Sequence, residues 1–196
     1  LFAMADLAFY GLRHKDTAEL QSFINSMDVP AQSTPYRLAP DPHLEFAYER
    51  IGPLMRGAHM TEGHSALPPL RHYFFYDDLL PLRLAGTGWM RTTSTPRAWI
   101  PIDNSMPPAR LVTQTQVSTN FAGDLAKIDM RSTALVDKPL ELSPGTPGTA
   151  ELLSERPGDM LVLTKADSRQ LLVLTTAYHA GWRMLIDGHP GETCRV

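Results

Sequence analysis

The chain has a single cysteine, Cys194, two residues from its end, so no disulfide can form within it. A lone thiol does not fix the compartment, since many extracytoplasmic domains carry no disulfide. No stretch approaches the roughly 18 consecutive apolar residues of a membrane helix, which excludes a complete span of that kind. The start lacks a basic segment followed by a long apolar core, so it does not read as a signal peptide. Basic clusters are missing as well. Lys and Arg number 18 against 21 Asp and Glu, for a formal net charge of -3. Nucleic-acid binding therefore has no electrostatic footprint. No G-x-S-x-G elbow, phosphate-binding loop or dinucleotide glycine fingerprint occurs, and no internal repeat is visible.

What is present is a foldable chain rich in punctuation. Hydrophobic residues make up 43% and charged residues 20% of 196 residues, enough apolar material for a packed core and too little charge for a disordered chain. The length fits one large domain, or one domain and a smaller lobe. The 17 prolines and 13 glycines exceed the ordinary share of roughly 12%, which favours short strands and turns over long helices. The start, Leu1 to Leu12, is apolar apart from Asp6 and reads as the last turns of a membrane helix or as a buried strand. Both ends read as cut ends. Asp16 and Glu19 form a capping box ahead of Leu20, Phe23, Ile24 and Met27 at helical spacing, and Pro30 stops that helix. Pro35 to Leu38 reads as a short strand, 41–53 as turn and helix, and 52–69 as an irregular loop. Leu70 to Leu80 reads as a helix, although its consecutive aromatics leave a strand open. Leu82 to Thr92 and Ala98 to Ile102 read as strands.

The second half is plainer. Leu111 to Val117 is rich in β-branched residues and reads as one strand. A short helix is expected over Phe121 to Ile128, begun by Thr119 or Asn120, followed by a strand at Thr133 to Val136 and a proline-rich loop at 139–148. Four strand-like runs follow: Ala150 to Glu155, Asp159 to Lys165, Gln170 to Tyr178 and Arg183 to Asp187. Pro157-Gly158, Asp167-Ser168 and Asp187-Gly188 supply their turns. The expected fold is α+β and mainly β, with an antiparallel sandwich in the C-terminal half and a few short helices in the N-terminal half. The expected division is a mixed lobe over 1–108 and a sandwich domain over 109–196, incomplete at its C-terminal end.

Several groups of reactive residues have plain structural explanations. His59, His64 and His72 lie near Glu62, Asp77 and Asp78, and a metal site would need at least three of them to converge. Their spacing is not that of a metalloprotease helix, so loop histidines and a solvated His72–Asp77 or His72–Asp78 pair are the simpler account. Asp77 and Asp78 are adjacent, which on a helix points them about 100° apart and keeps them from flanking one substrate. Ser65 beside His64, and Ser105 after Asp103 and Asn104, are serines next to possible triad partners, without any motif that joins them.

The segment Leu171 to Pro190 reads LLVLTTAYHAGWRMLIDGHP. A strand runs into an aromatic corner, Tyr178, Gly181 and Trp182, and a second strand closes on Asp187-Gly188. This resembles the signature of YfhO-like bacterial membrane proteins, departing from it at His179 and Ala180, where that family often has Tyr-Pro. Thr95 to Trp99 is similar to the family's Pro-Arg-Ala strand. The resemblance implies a polytopic membrane protein similar to glycosyltransferases of the GT-C class, with catalytic acids on membrane-proximal loops elsewhere and this chain as a soluble extracytoplasmic part. It implies no catalytic residue, metal or cofactor in this chain. It implies as partners the membrane-embedded part of the parent chain and a glycan or lipid-linked sugar. In such relatives more strands follow the Asp-Gly turn.

The residues carry a physical reading of their own. Glycine at 181 permits a tight corner, Trp182 offers a ring that caps a sheet end, and Asp187-Gly188 suits a type I′ hairpin. The alternative is a carbohydrate-binding module using Trp99, Tyr178 and Trp182 as stacking platforms. A metal-assisted hydrolase built on His59, His64 and His72 is a third reading.

Overall fold

The protein is described from a computed structural model covering residues 22, 25, 28–30, 36–39, 53–54, 56–60, 79–92, 98–156, 158–176, 178 and 180–196. The apolar start, the proposed metal ligands His64 and His72, and most of the expected helices at 16–27 and 70–80 lie outside these residues. The described part is mainly β, with short helices, as the composition leads one to expect. The chain divides into two compact units. One comprises Leu1–Arg83 and Thr87–Ser105, and the other Leu84–Gly86 and Met106–Val196.

In the first unit, three strands form a mixed sheet in the order β1-β2-β3: β1 (Arg37–Ala39), β2 (Thr87–Arg91) and β3 (Trp99–Pro101). β1 runs parallel to β2, and β3 antiparallel to it. The backbone N–H of Leu38 also donates to His59 O at 2.8 Å, tying residues 58–60 alongside β1. Pro101 sits on an edge strand, where a missing N–H costs no ladder bond. Helix α1 (Leu79–Leu84) precedes β2. The sequence reading of Leu82 to Thr92 as a single strand is corrected here. Its first residues are helical, and the chain turns at Ala85-Gly86 before extending. Gly86 has φ +71, the left-handed conformation that commonly ends a helix. Leu82 is fully buried with Ala39 and Ile102, and Met90 packs on this cluster. Ser105 Oγ bonds the carbonyls of Thr87 and Ile102, closing the turn after β3.

In the second unit, the run expected as one strand at Leu111–Val117 is two: β4 (Ala109–Val112) and β5 (Gln114–Val117). They part at Thr113. β4 pairs antiparallel with β9 (Leu171–Leu174). β5 pairs in parallel with β6 (Thr133–Val136). The parallel pair departs from the all-antiparallel arrangement expected of this half. Its cause is the connection: the chain between β5 and β6 carries helix α2 (Phe121–Leu125), and parallel neighbours require such a crossover. Asn120 caps α2, its side chain accepting from Gly123 N at 3.2 Å. The helix ends at Leu125, sooner than expected. Ala134, Leu135 and Val136 are all buried, which fits a strand of a parallel pair covered on both faces. Val112, Ala134 and Val173 form the core, with Leu171 against it.

Two hairpins complete this unit. β7 (Thr149–Arg156) and β8 (Asp159–Lys165) pair antiparallel with a bulge between Leu152 and Ser154. The turn between them contains Gly158 at φ +82. β10 (Met184–Ile186) and β11 (His189–Gly191) pair antiparallel across Asp187-Gly188. Both turn residues have positive φ, +50 and +83, as a type I′ turn requires.

Candidate functional site

The aromatic corner and its hairpin are built by local rules. The type I′ turn twists with the flanking strands, and Asp tolerates the left-handed conformation better than most side chains. The register sets Met184 opposite Gly191, Leu185 opposite Pro190 and Ile186 opposite His189. Gly191 lies directly under the Met184 and Ile186 side chains; a Cβ there would come within 2.8 Å of Met184 Cε. The hairpin nevertheless buries little. Leu185 is 68% exposed and Ile186 56%. Tyr178 and Gly181 are also exposed, and Trp182 is half-buried. The corner is therefore an open, apolar surface feature.

Trp99 belongs to the first unit and has a different environment. Its indole N–H donates to the Asp28 backbone carbonyl at 3.0 Å. Arg91 lies directly across from it in the β2–β3 ladder, and the guanidinium sits 5.2 Å from the Trp99 ring centroid. This is cation–π distance. Arg91 Nη1 in turn bonds the Asp28 carboxylate at 2.8 Å. The ring thus has a cation over one face and a satisfied donor. Sequence reasoning singled out Trp99 without these partners, because only the strand register puts Arg91 opposite it.

The other candidates divide in the same way. Among the described residues no group of three His, Cys, Asp or Glu could hold a metal ion. His59 is placed by its backbone against Leu38. The Ser105 hydroxyl is spent on backbone carbonyls, that of Ile102 in its own turn and that of Thr87 at the start of β2. Burial, then the negative charge of Asp137, holds the Cys194 thiol above its ordinary pKa, so it is not primed as a thiolate nucleophile. Arg110 on β4 is drawn down to about 10 by desolvation and donates Nε–H to Met130 O at 3.1 Å. It remains a cation at neutral pH.

In comparisons with known proteins the chain matches no family model, no curated protein and no solved structure.

The feature that sequence reasoning missed is the face of the β7–β8 ribbon. Leu161 is 57% exposed and Leu163 58%, with Leu153 beside them at the bulge. The signal was present in the alternation of β8, Asp-Met-Leu-Val-Leu-Thr-Lys, where apolar residues fall on both faces of the strand.

Proposed function

We propose that the chain is a non-catalytic extracytoplasmic domain of a polytopic bacterial membrane protein resembling lipid-linked-sugar glycosyltransferases. The observation that supports this reading most is the solvent-facing apolar hairpin at Met184–Gly191, which coincides with the residues that carry the family resemblance. Exposed apolar surface of this kind marks an interaction site more often than a reaction site. The occupant that fits is the membrane-embedded part of the parent chain, beside which the domain would help position a lipid-linked donor or a polymer acceptor. Two measurements test this. The reading frame upstream of Leu1 is expected to encode a series of membrane spans with an acidic residue after the first. The purified 196-residue chain is expected to transfer no sugar from a polyprenyl-phosphate donor, and measured transfer would reject the non-catalytic assignment.

A second reading, carbohydrate binding, is supported by the exposed Tyr178 ring and the half-buried Trp182. Trp99 serves it poorly, because a pyranose would have to displace Arg91 to use that face. Sugar-dependent quenching of tryptophan fluorescence that vanishes in Trp182→Ala and survives in Trp99→Phe would favour this reading over the first.

A further inference from the structure

β8 is the outer strand of a two-stranded ribbon. Its partner β7 has β4 lying against it, while the far side of β8 pairs with no other strand among the described residues. Alternate N–H and C=O groups of a strand point to each side, so such an edge offers a row of backbone donors and acceptors. Short, interrupted or covered edges are the usual protection. β8 is instead seven residues long and uninterrupted, with a charge at each end, Asp159 and Lys165.

That charge placement is self-complementary. Two copies of a strand related by a two-fold axis perpendicular to the sheet pair antiparallel, with residues of the same face opposite one another. If the axis passes through Val162, Asp159 of one copy faces Lys165 of the other at both ends of the ladder. Leu161 then faces Leu163 twice in the middle, and Val162 faces itself on the opposite side. Shifting the axis one residue either way sets Asp159 against Leu163, or Lys165 against Leu161, and neutralises neither charge. Asp159, Leu161, Leu163 and Lys165 are all on the exposed face. Within the hairpin Arg156 already lies opposite Asp159, so the end rows of the joined sheet would alternate in sign across three strands.

We infer that β8 is a homodimerisation edge, joining two copies of this chain in a four-stranded antiparallel sheet centred on Val162. The partner is a second copy because the charge pattern of the edge matches itself in one register. The assembly closes, since each copy contributes one edge and the two-fold uses both. The inference stands on β8 alone and does not depend on the reading given to the hairpin at Met184–Gly191.

The test is the mass of the 196-residue chain in solution, measured by sedimentation equilibrium over a range of concentrations. A monomer–dimer equilibrium is expected. Asp159→Lys or Lys165→Asp alone puts like charges opposite each other at both ends, and should weaken the dimer by roughly tenfold, more at low salt. The double exchange, Asp159→Lys with Lys165→Asp, restores complementarity in the same register and should restore dimerisation. In a Cys194→Ser background, Val162→Cys should oxidise to a covalent dimer, because only a residue on the axis meets its own copy at disulfide distance. A chain that stays monomeric at high concentration overturns the inference. So does a dimer indifferent to both single charge changes, or open-ended association in place of a closed dimer.

Discussion

Several side chains among the described residues are held by partners close in the sequence, and Asp124 is a clear case. Its carboxylate bonds Lys127 Nζ and the Ser118 hydroxyl, both at 2.8 Å. The Lys127 bond and then the Ser118 bond hold its pKa below the ordinary aspartate value. Because the folded value is the lower one, the carboxylate contributes stability above the ordinary range, about 3.9. That contribution is lost as pH falls through the depressed folded value. Asp129 behaves alike, held down first by its bond from the Ser132 hydroxyl. Chemical denaturation of the Asp124→Asn variant is accordingly expected to show a shallower loss of stability on acidification than the parent chain, the variant being the less stable near neutral pH and the gap between the two closing as pH falls. An identical acid slope in the two proteins would count against the assignment. At this scale the sequence was informative wherever the chemistry is local. Asn120 as a helix cap and Asp187-Gly188 as a hairpin turn depend on neighbours a few residues away. Arg91 over Trp99 depends on strand register, and no pattern in the chain announces it.

At the scale of elements, the strands were legible as β-rich runs and their partners were not. β7 and β8 coincide closely with the runs read from alternation and the Pro-Gly turn. Leu111 to Val117 looked continuous because its β-branched composition does not change at Thr113. What divides it is the Ser132 carbonyl, which accepts from both Thr113 N and Gln114 N, at 3.2 and 3.1 Å, and turns the second half toward β6. The helical start of Leu82–Thr92 was missed because a short apolar run fits either period, and burial of Leu82 in the core decided it. The proline-rich loop before β7 has a fixed end for a steric reason. A Cβ on Gly148 would lie 2.1 Å from the Lys165 carbonyl oxygen and 3.0 Å from Leu111 Cδ1. Gly148 N also donates to the Gln170 side chain at 2.8 Å, and Gln170 Nε2 returns a bond to Thr146 O at 3.1 Å. Backbone cannot retreat as a flexible side chain would, so Gly148→Ala should destabilise the second unit by about 1–3 kcal/mol. Gly145→Ala, where no atom lies within 4 Å of the added Cβ but φ is +154, should avoid that clash and cost only its backbone strain. Thermal unfolding of the two variants checks the order.

At the scale of the whole molecule, large apolar side chains are left exposed among the described residues of both units. The first contributes Leu54, Leu79 and Ile100, and the second adds Leu153, Leu161, Leu163, Leu185 and Ile186 among others. Binary patterning in the sequence anticipated a β-rich fold but not which of these side chains stay exposed, because alternation names two faces of a strand without saying which one finds a neighbour. The corner at Tyr178 to Gly188 was legible as a bend between strands. Its openness to solvent was not, since exposure is decided by what packs on it. The division of one extended run at Thr113 has a further consequence. A single stretch of main chain feeds two separate ladders, so neither can peel away without dragging on the other. Amide protons of β4 and β6 should therefore exchange with deuterium at a common, slow rate set by one joint opening, while those of β10 and β11 wash out sooner. Two distinct rates for β4 and β6 would mean that Thr113 acts as a swivel and transmits no load.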